Sequence, residues 1–165
     1  MAKWLSLSAL IVAVDQMTKY AVVQGLAAGK AVAVTPFLNL VLVYNPGAAF
    51  SFLSDAAGWQ RWMFIAIAIA ASAWIVWLLN RYPRQTLFSL ALALVLAGAV
   101  GNVVDRVLFG AVVDFLDVHA FGWHWPAFNV ADSAITCGAA LLVWDALQPQ
   151  KTRTIEPQIN ADKRR

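Results

Sequence analysis

Apolar residues fall along this chain in four long runs. Trp4 to Val23 reads WLSLSALIVAVDQMTKYAVV, Trp62 to Leu79 reads WMFIAIAIAASAWIVWLL, Leu87 to Val104 reads LFSLALALVLAGAVGNVV, and Ala127 to Leu147 reads AFNVADSAITCGAALLVWDAL. Each approaches the ~20 apolar residues that a helix needs to cross a bilayer. The second run carries no charge, whereas Asp15 and Lys19 break the first and Asp132 and Asp145 the fourth. Between the first two runs the pattern changes. FLNLVLVYN (37–45), with AVAV before it, is rich in Leu and Val and is punctuated by Pro36 and by Pro46-Gly47, which predicts short β-strands with a turn. That stretch is too apolar to stand in water alone and is expected to lie on the outer membrane surface.

Composition agrees with a membrane protein. The 165 residues suffice for one domain. Hydrophobic residues make up 61% of the chain, against the ~45–50% of a soluble domain. There are eight Trp, a residue that favours membrane–water interfaces. The net charge of +3 is therefore no sign of nucleic-acid binding; the placement of the basic residues sets topology instead. Lys3, Arg81, Arg84, Lys151, Arg153, Lys163, Arg164 and Arg165 share one side of a four-span arrangement, leaving Lys19, Lys30, Arg61 and Arg106 at the other side and the segment ends. Both termini are expected in the cytoplasm, with the connections at roughly 24–60 and 105–126 facing outward. The first run could also be read as a signal peptide, with Lys3 ahead of it and AVA (31–33) as a cleavage site. Asp15, Lys19 and the distance of that site from the apolar stretch count against it. The division expected is one integral membrane domain over 1–149 and a polar, disordered cytoplasmic tail over 150–165. A single cysteine, Cys137, cannot form an internal disulfide and reads as packing.

Ionisable residues inside a spanning segment mark a functional site by default. Here they gather at one end of their segments. Asp15 and Lys19 are four apart and share a helical face, as an internal ion pair or as a means of aligning other groups. Gly98, Gly101, Asn102 and Asp105 form one stripe of the third segment, where the glycines admit a close neighbour and the buried amide needs partners. Asn129 and Asp132 share a face of the fourth segment. They suit an N-cap and a first-turn acid, and a dipole that keeps Asp132 ionised would also prepare a base.

Two further acids stand in AVVDFLDV (111–118). Asp132 follows Asp114 by 18 positions, and the aromatic VHAFGWHWPA between them could double back and bring the two together. In an extended strand Asp114 and Asp117 point opposite ways, so that one can face the helices and the other water or head groups. Two carboxylates in a low-dielectric pocket cannot both ionise cheaply. Such a pair can activate water against an amide, one member taking its proton and the other protonating the carbonyl oxygen. His119 and His124 lie five apart in an aromatic loop, a spacing that suits an interfacial position better than a metal site. Neither a metal nor another cofactor is expected.

In order along the chain, DQMTK (15–19), NPGAAF (45–50), GNVVDR (101–106), VVDFLDV (112–118) and FNVADSAI (128–135) resemble the signature blocks of the lipoprotein signal peptidase family, also called signal peptidase II. The resemblance spans about residues 4–147. It implies an all-α membrane protein with four transmembrane helices, a small extracytoplasmic β-cradle and cytoplasmic termini. It further implies an aspartic endopeptidase of the bacterial cytoplasmic membrane, inhibited by globomycin-type peptides, with its active site toward the outer face. Such an enzyme cleaves prolipoproteins before a cysteine that carries diacylglycerol. The family's catalytic pair matches Asp114 and Asp132. Its binding and support positions match Asp15, Lys19, Asn45, Gly47, Asn102, Asp105, Arg106, Asn129 and Ala131. Of these, Asn45, Asn102 and Arg106 would hydrogen-bond the substrate, and Asp105 would hold Arg106 or the active-site amides. The expected partners are lipidated prolipoproteins and membrane lipid, without nucleic acid, and the expected state is a monomer. Two other readings stay open on the residues alone. One is an ion-coupled transporter subunit, although the polar groups form no path across the membrane. The other is a non-catalytic factor that binds lipidated proteins, which would have no need of paired acids.

Overall fold

The computed structural model describes residues 1–47 and 58–148. The last three residues of NPGAAF and the C-terminal tail lie outside that range. The described elements run α1 (Ala2–Gly25), β1 (Ala31–Thr35), β2 (Leu38–Asn45), α2 (Trp59–Arg81), α3 (Thr86–Phe109), β3 (Val112–Ala120), β4 (Trp123–His124) and α4 (Val130–Leu147). All four helices are long and apolar enough to cross a membrane. At ~1.5 Å per residue, the 24 residues of α1 and of α3 exceed a hydrocarbon core of ~30 Å. Large apolar side chains such as Ile67, Ile69, Trp74, Trp77 and Trp144 point away from the protein, as suits a hydrocarbon surrounding.

Helix α3 is the centre of the bundle and packs on α1, α2 and α4. Two features of its sequence allow this. One face carries Leu92, Ala93 and Leu96, which close a core with Trp4 of α1 and with Ile75 and Leu79 of α2. Another face is stripped to small residues so that α4 can approach backbone to backbone. A Cβ at Gly98 would collide with the carbonyl oxygen of Ala131, and one at Gly101 would come within 2.7 Å of Asp15 Oδ2. Gly138 of α4 reciprocates, since a Cβ there would lie 2.7 Å from the carbonyl oxygen of Ala91. The glycine stripe read from the sequence thus admits α4 at Gly98, and at Gly101 the Asp15 carboxylate of α1 beside Ala131 of α4.

Both long connections contribute to one antiparallel sheet of order β1-β2-β3-β4. Strand β2 pairs with β3 so that Val43 faces Asp114 and Asn45 faces Val112. The sheet is therefore larger than the first connection alone predicts. Val22 at the end of α1 packs with Leu42, Val113 and Phe115, which seats the sheet on the bundle. Beyond β3 the chain reverses through Phe121 (φ 52°) and Gly122 (φ 80°), two left-handed residues of the kind a tight two-residue hairpin requires. The returning strand rejoins β3 when the Phe128 carbonyl accepts from the Leu116 amide at 2.8 Å. The reversal proposed for VHAFGWHWPA takes place. Helix α4 then begins at Val130, three residues later than the apolar run, because Asn129 caps it.

Replacing Gly98 by Val should force α3 and α4 apart. We expect a loss on the order of 1–3 kcal/mol, read as a lower thermal unfolding midpoint in detergent. Gly25→Ala, where a Cβ meets nothing within 4 Å, should leave that midpoint in place.

Candidate active site

At the end of the bundle that carries the sheet, the polar residues of three helices and two strands converge. Asp15 and Lys19 form an ion pair at 2.8 Å, and the same ammonium reaches Asp105 of α3 at 2.8 Å. Lys19 Nζ also donates to Asn102 Oδ1 at 3.2 Å. Each carboxylate then holds a backbone amide. Asp15 Oδ1 accepts from the Ala131 N–H at 2.8 Å, and Asp105 Oδ2 accepts from the Val113 N–H at 3.0 Å. These amides belong to the residues just before Asp132 and Asp114.

Asn129 joins the two acids directly. Its Nδ2 donates to Asp114 Oδ1 at 2.7 Å, its Oδ1 accepts from the Asp132 N–H at 2.8 Å, and its own N–H donates to Asp132 Oδ2 at 3.3 Å. The last two bonds are the capping box of α4. One more side-chain amide completes each carboxyl group. Asn45 Nδ2 donates to Asp114 Oδ2 at 3.1 Å, and Asn102 Nδ2 donates to Asp132 Oδ1 at 2.8 Å. Burial pushes the Asp114 pKa up to about 7, with the charge of Asp132 as the second cause, against the pull of the Asn45 and Asn129 amides.

The acids open on a cavity of about 1060 Å³ whose wall includes Asn45, Gly47, Asn102, Arg106, Asp114 and Asp132. Arg106 Nη2 donates to the Gly47 carbonyl at 2.8 Å, and its guanidinium lies 5.0 Å from the centre of the Phe64 ring. Of the two alternatives expected for Asp105, holding Arg106 or holding amides of the site, the hydrogen bonds follow the second. Asp105 turns to Lys19 and the Val113 amide, while Arg106 turns to the 45–47 turn. All eleven residues singled out from the sequence thus fall into two layers. Asn45, Gly47, Asn102, Arg106, Asp114 and Asp132 line the cavity, and Asp15, Lys19, Asp105, Asn129 and Ala131 stand behind it.

Asp117 departs from expectation. It does not face water or head groups but is only 8% exposed. Asn39 Nδ2 donates to it at 2.9 Å across β2–β3, and His124 Nδ1 lies 2.8 Å from it across β3–β4. Burial would raise its pKa, but these hydrogen bonds outweigh it and hold the carboxyl below its ordinary value. His124 in turn stacks on His119 at 5.0 Å. The pairing of β2 with β3 supplies Asn39, and no local sequence pattern indicates it. Gln16 and Phe64 are the other contributors that sequence reasoning passed over; Gln16 stands inside the quoted DQMTK, beside Asp15.

A model of the signal peptidase (SPase) II family matches residues 7–148. This chain belongs to the signal peptidase II family. It is therefore a peptidase, and with four spanning helices a multi-pass protein of the bacterial inner membrane. The transporter and binding-factor readings fall away. The lipoprotein signal peptidase of Paraburkholderia phymatum is 57% identical over 148 residues, covering 90% of this chain and 89% of the relative. That of Burkholderia mallei is 56% identical over the same shares. Among solved structures, one bacterial membrane enzyme shares 32% identity and superimposes with a TM-score of 0.80 over 94% of each chain. A second shares 34% identity with a TM-score of 0.79, over 90% of this chain and 94% of its own.

Lys19→Met keeps the stem of the side chain and removes its charge, leaving Asp15 and Asp105 buried together without a cation. Removing one partner of a buried pair costs on the order of 3–5 kcal/mol. The variant should show a large drop in thermal midpoint in detergent, and a midpoint within a degree or two of the parent would contradict the bridging role.

Proposed function

We propose that this peptidase removes the signal peptide from prolipoproteins by hydrolysing the bond before a diacylglyceryl-modified cysteine, with Asp114 and Asp132 activating the water. The observation that carries the reading is Asn129, which bonds both carboxyl groups where they open on the cavity, Asp114 through its side-chain amide and Asp132 through its backbone N–H, while its side-chain oxygen caps the Asp132 amide. The names of the similar proteins supply the substrate class.

In this mechanism Asp114 holds the proton and Asp132, at the start of α4, is the base. Water attacks the scissile carbonyl carbon as Asp132 takes its proton, and Asp114 gives its own to the carbonyl oxygen. The tetrahedral intermediate then collapses. The C–N bond breaks, the departing nitrogen takes the proton from Asp132, and Asp114 regains its own from the hydroxyl. Asn45, Asn102 and Arg106 offer donors to the substrate backbone and ester carbonyls. Asp15, Lys19, Asp105, Asn129 and Ala131 hold the geometry, and neither metal nor other cofactor takes part.

With purified protein in detergent and a diacylglyceryl-modified prolipoprotein, Asp114→Asn and Asp132→Asn should each lower turnover by at least about a thousandfold while remaining folded. Asp117→Asn should keep much of it, and chelators should have no effect. Full activity in either of the first two variants would remove the dyad. The pH dependence has a definite sign. A pKa raised from 3.8 to about 7 means that Asp114 keeps its proton in the folded enzyme as pH rises past the point where the unfolded chain releases it. Its contribution to stability is present at low pH and lost as pH rises through about 7, and activity that needs the proton should fall over the same alkaline limb.

The topology proposed places both termini in the cytoplasm and the sheet with its cavity outside. In a Cys137→Ser background, Phe121→Cys at the hairpin tip should react with an impermeant thiol reagent added to intact cells with a permeabilised outer membrane. Labelling only after the inner membrane is broken would reverse the orientation.

A further inference from the structure

We propose that Gln16 is a positioning residue for hydrolysis, holding Asp105 and through it the backbone that carries Asp114. The inference rests on the dyad reading above. Lys19 has three N–H groups, and they go to Asp15 Oδ2, Asp105 Oδ2 and Asn102 Oδ1. Nothing is left for the other oxygen of Asp105. Gln16 Nε2 fills that place, donating to Asp105 Oδ1 at 2.9 Å, with the Gly101 carbonyl and Asp15 Oδ2 each at 3.2 Å. Among the described residues it is the hydrogen-bond donor to Oδ1.

A carboxylate held through both oxygens cannot swivel, whereas the terminal torsion of an aspartate held through one is soft. The oxygen that would move is Oδ2, which accepts from the Val113 amide at 3.0 Å. Asp114 is the next residue. Misplacing a reacting group by ~1 Å costs on the order of a hundredfold in rate, so a partial release here has room to show. Gln16 does not line the cavity, and its loss should leave substrate binding alone. The neighbouring charged groups that bear on position 16 are Asp15 and Lys19 of α1 and Asp105 of α3.

Two variants test this against a plain packing role. Gln16→Met keeps the shape and removes the donor; kcat should fall about tenfold at every pH, with KM unchanged within about twofold. Gln16→Glu is isosteric and regains a donor when protonated, so its kcat relative to the parent should climb as pH falls. Hydrogen exchange at the Val113 amide should be faster in Gln16→Met, a readout free of turnover. The proposal is overturned by parental kcat in Gln16→Met, by a Gln16→Glu ratio that does not change with pH, or by unaltered exchange at Val113. Asp114→Asn is run alongside. If that variant is active the dyad itself fails, whereas an inactive Asp114→Asn beside a fully active Gln16→Met defeats only the role given to Gln16.

Discussion

Lys19 brings a single positive charge to the place where Asp15 of α1 and Asp105 of α3 meet, each 2.8 Å from the ammonium. Without it two carboxylates would face each other in a medium that screens charge poorly. With it, two helices are fastened at the level of the cavity. The fastening extends further, because each carboxylate uses an oxygen to hold a backbone amide, Ala131 at the start of α4 and Val113 in β3. Asp132 and Asp114 each follow such an amide by one residue. One ammonium therefore fixes the relative placement of four elements and of the two acids they carry.

The cation acts one layer behind the cavity, and that placement has a chemical consequence. An ammonium or guanidinium bonded directly to both acids would favour full ionisation of the pair. Instead the acids are surrounded by the neutral amides of Asn45, Asn102 and Asn129. Such donors orient a carboxyl group without forcing its proton off. Arg106, the nearby guanidinium, spends a hydrogen bond on the Gly47 carbonyl and rests on Phe64. Burial, together with the charge of Asp132, outweighs those amide donors and raises the Asp114 pKa to about 7.

Much of this was legible because it depends on local pattern. Length and hydropathy marked the four helices. The period of a helix put Gly98, Gly101, Asn102 and Asp105 on one stripe and Asp15 beside Lys19. What stayed hidden depends on pairing between distant segments. The register of β2 against β3 joins residues some seventy positions apart, and no periodicity within either strand encodes it. Asp117 accordingly lacked the partners, Asn39 and His124, that this register and the β3–β4 hairpin supply. Gln16 was hidden for another reason. It is an uncharged neighbour of an obvious acid, and its importance appears only when the donors of Lys19 are counted and one oxygen of Asp105 is left over.

Asn129 shows why helix start and site geometry cannot be separated here. A capping asparagine normally satisfies an amide of the first turn and little else. This one caps α4 through Asp132 and, with the rest of the same side chain, grips Asp114 on a strand. Val113 lends its carbonyl to that amide as well, at 3.2 Å. The helix therefore begins where it does, three residues inside the apolar run, because the cap must stand between the acids. An earlier start would lengthen the helix at the cost of the junction. The order of strand, hairpin, cap and helix converts a separation of 18 residues in sequence into a shared hydrogen-bond partner.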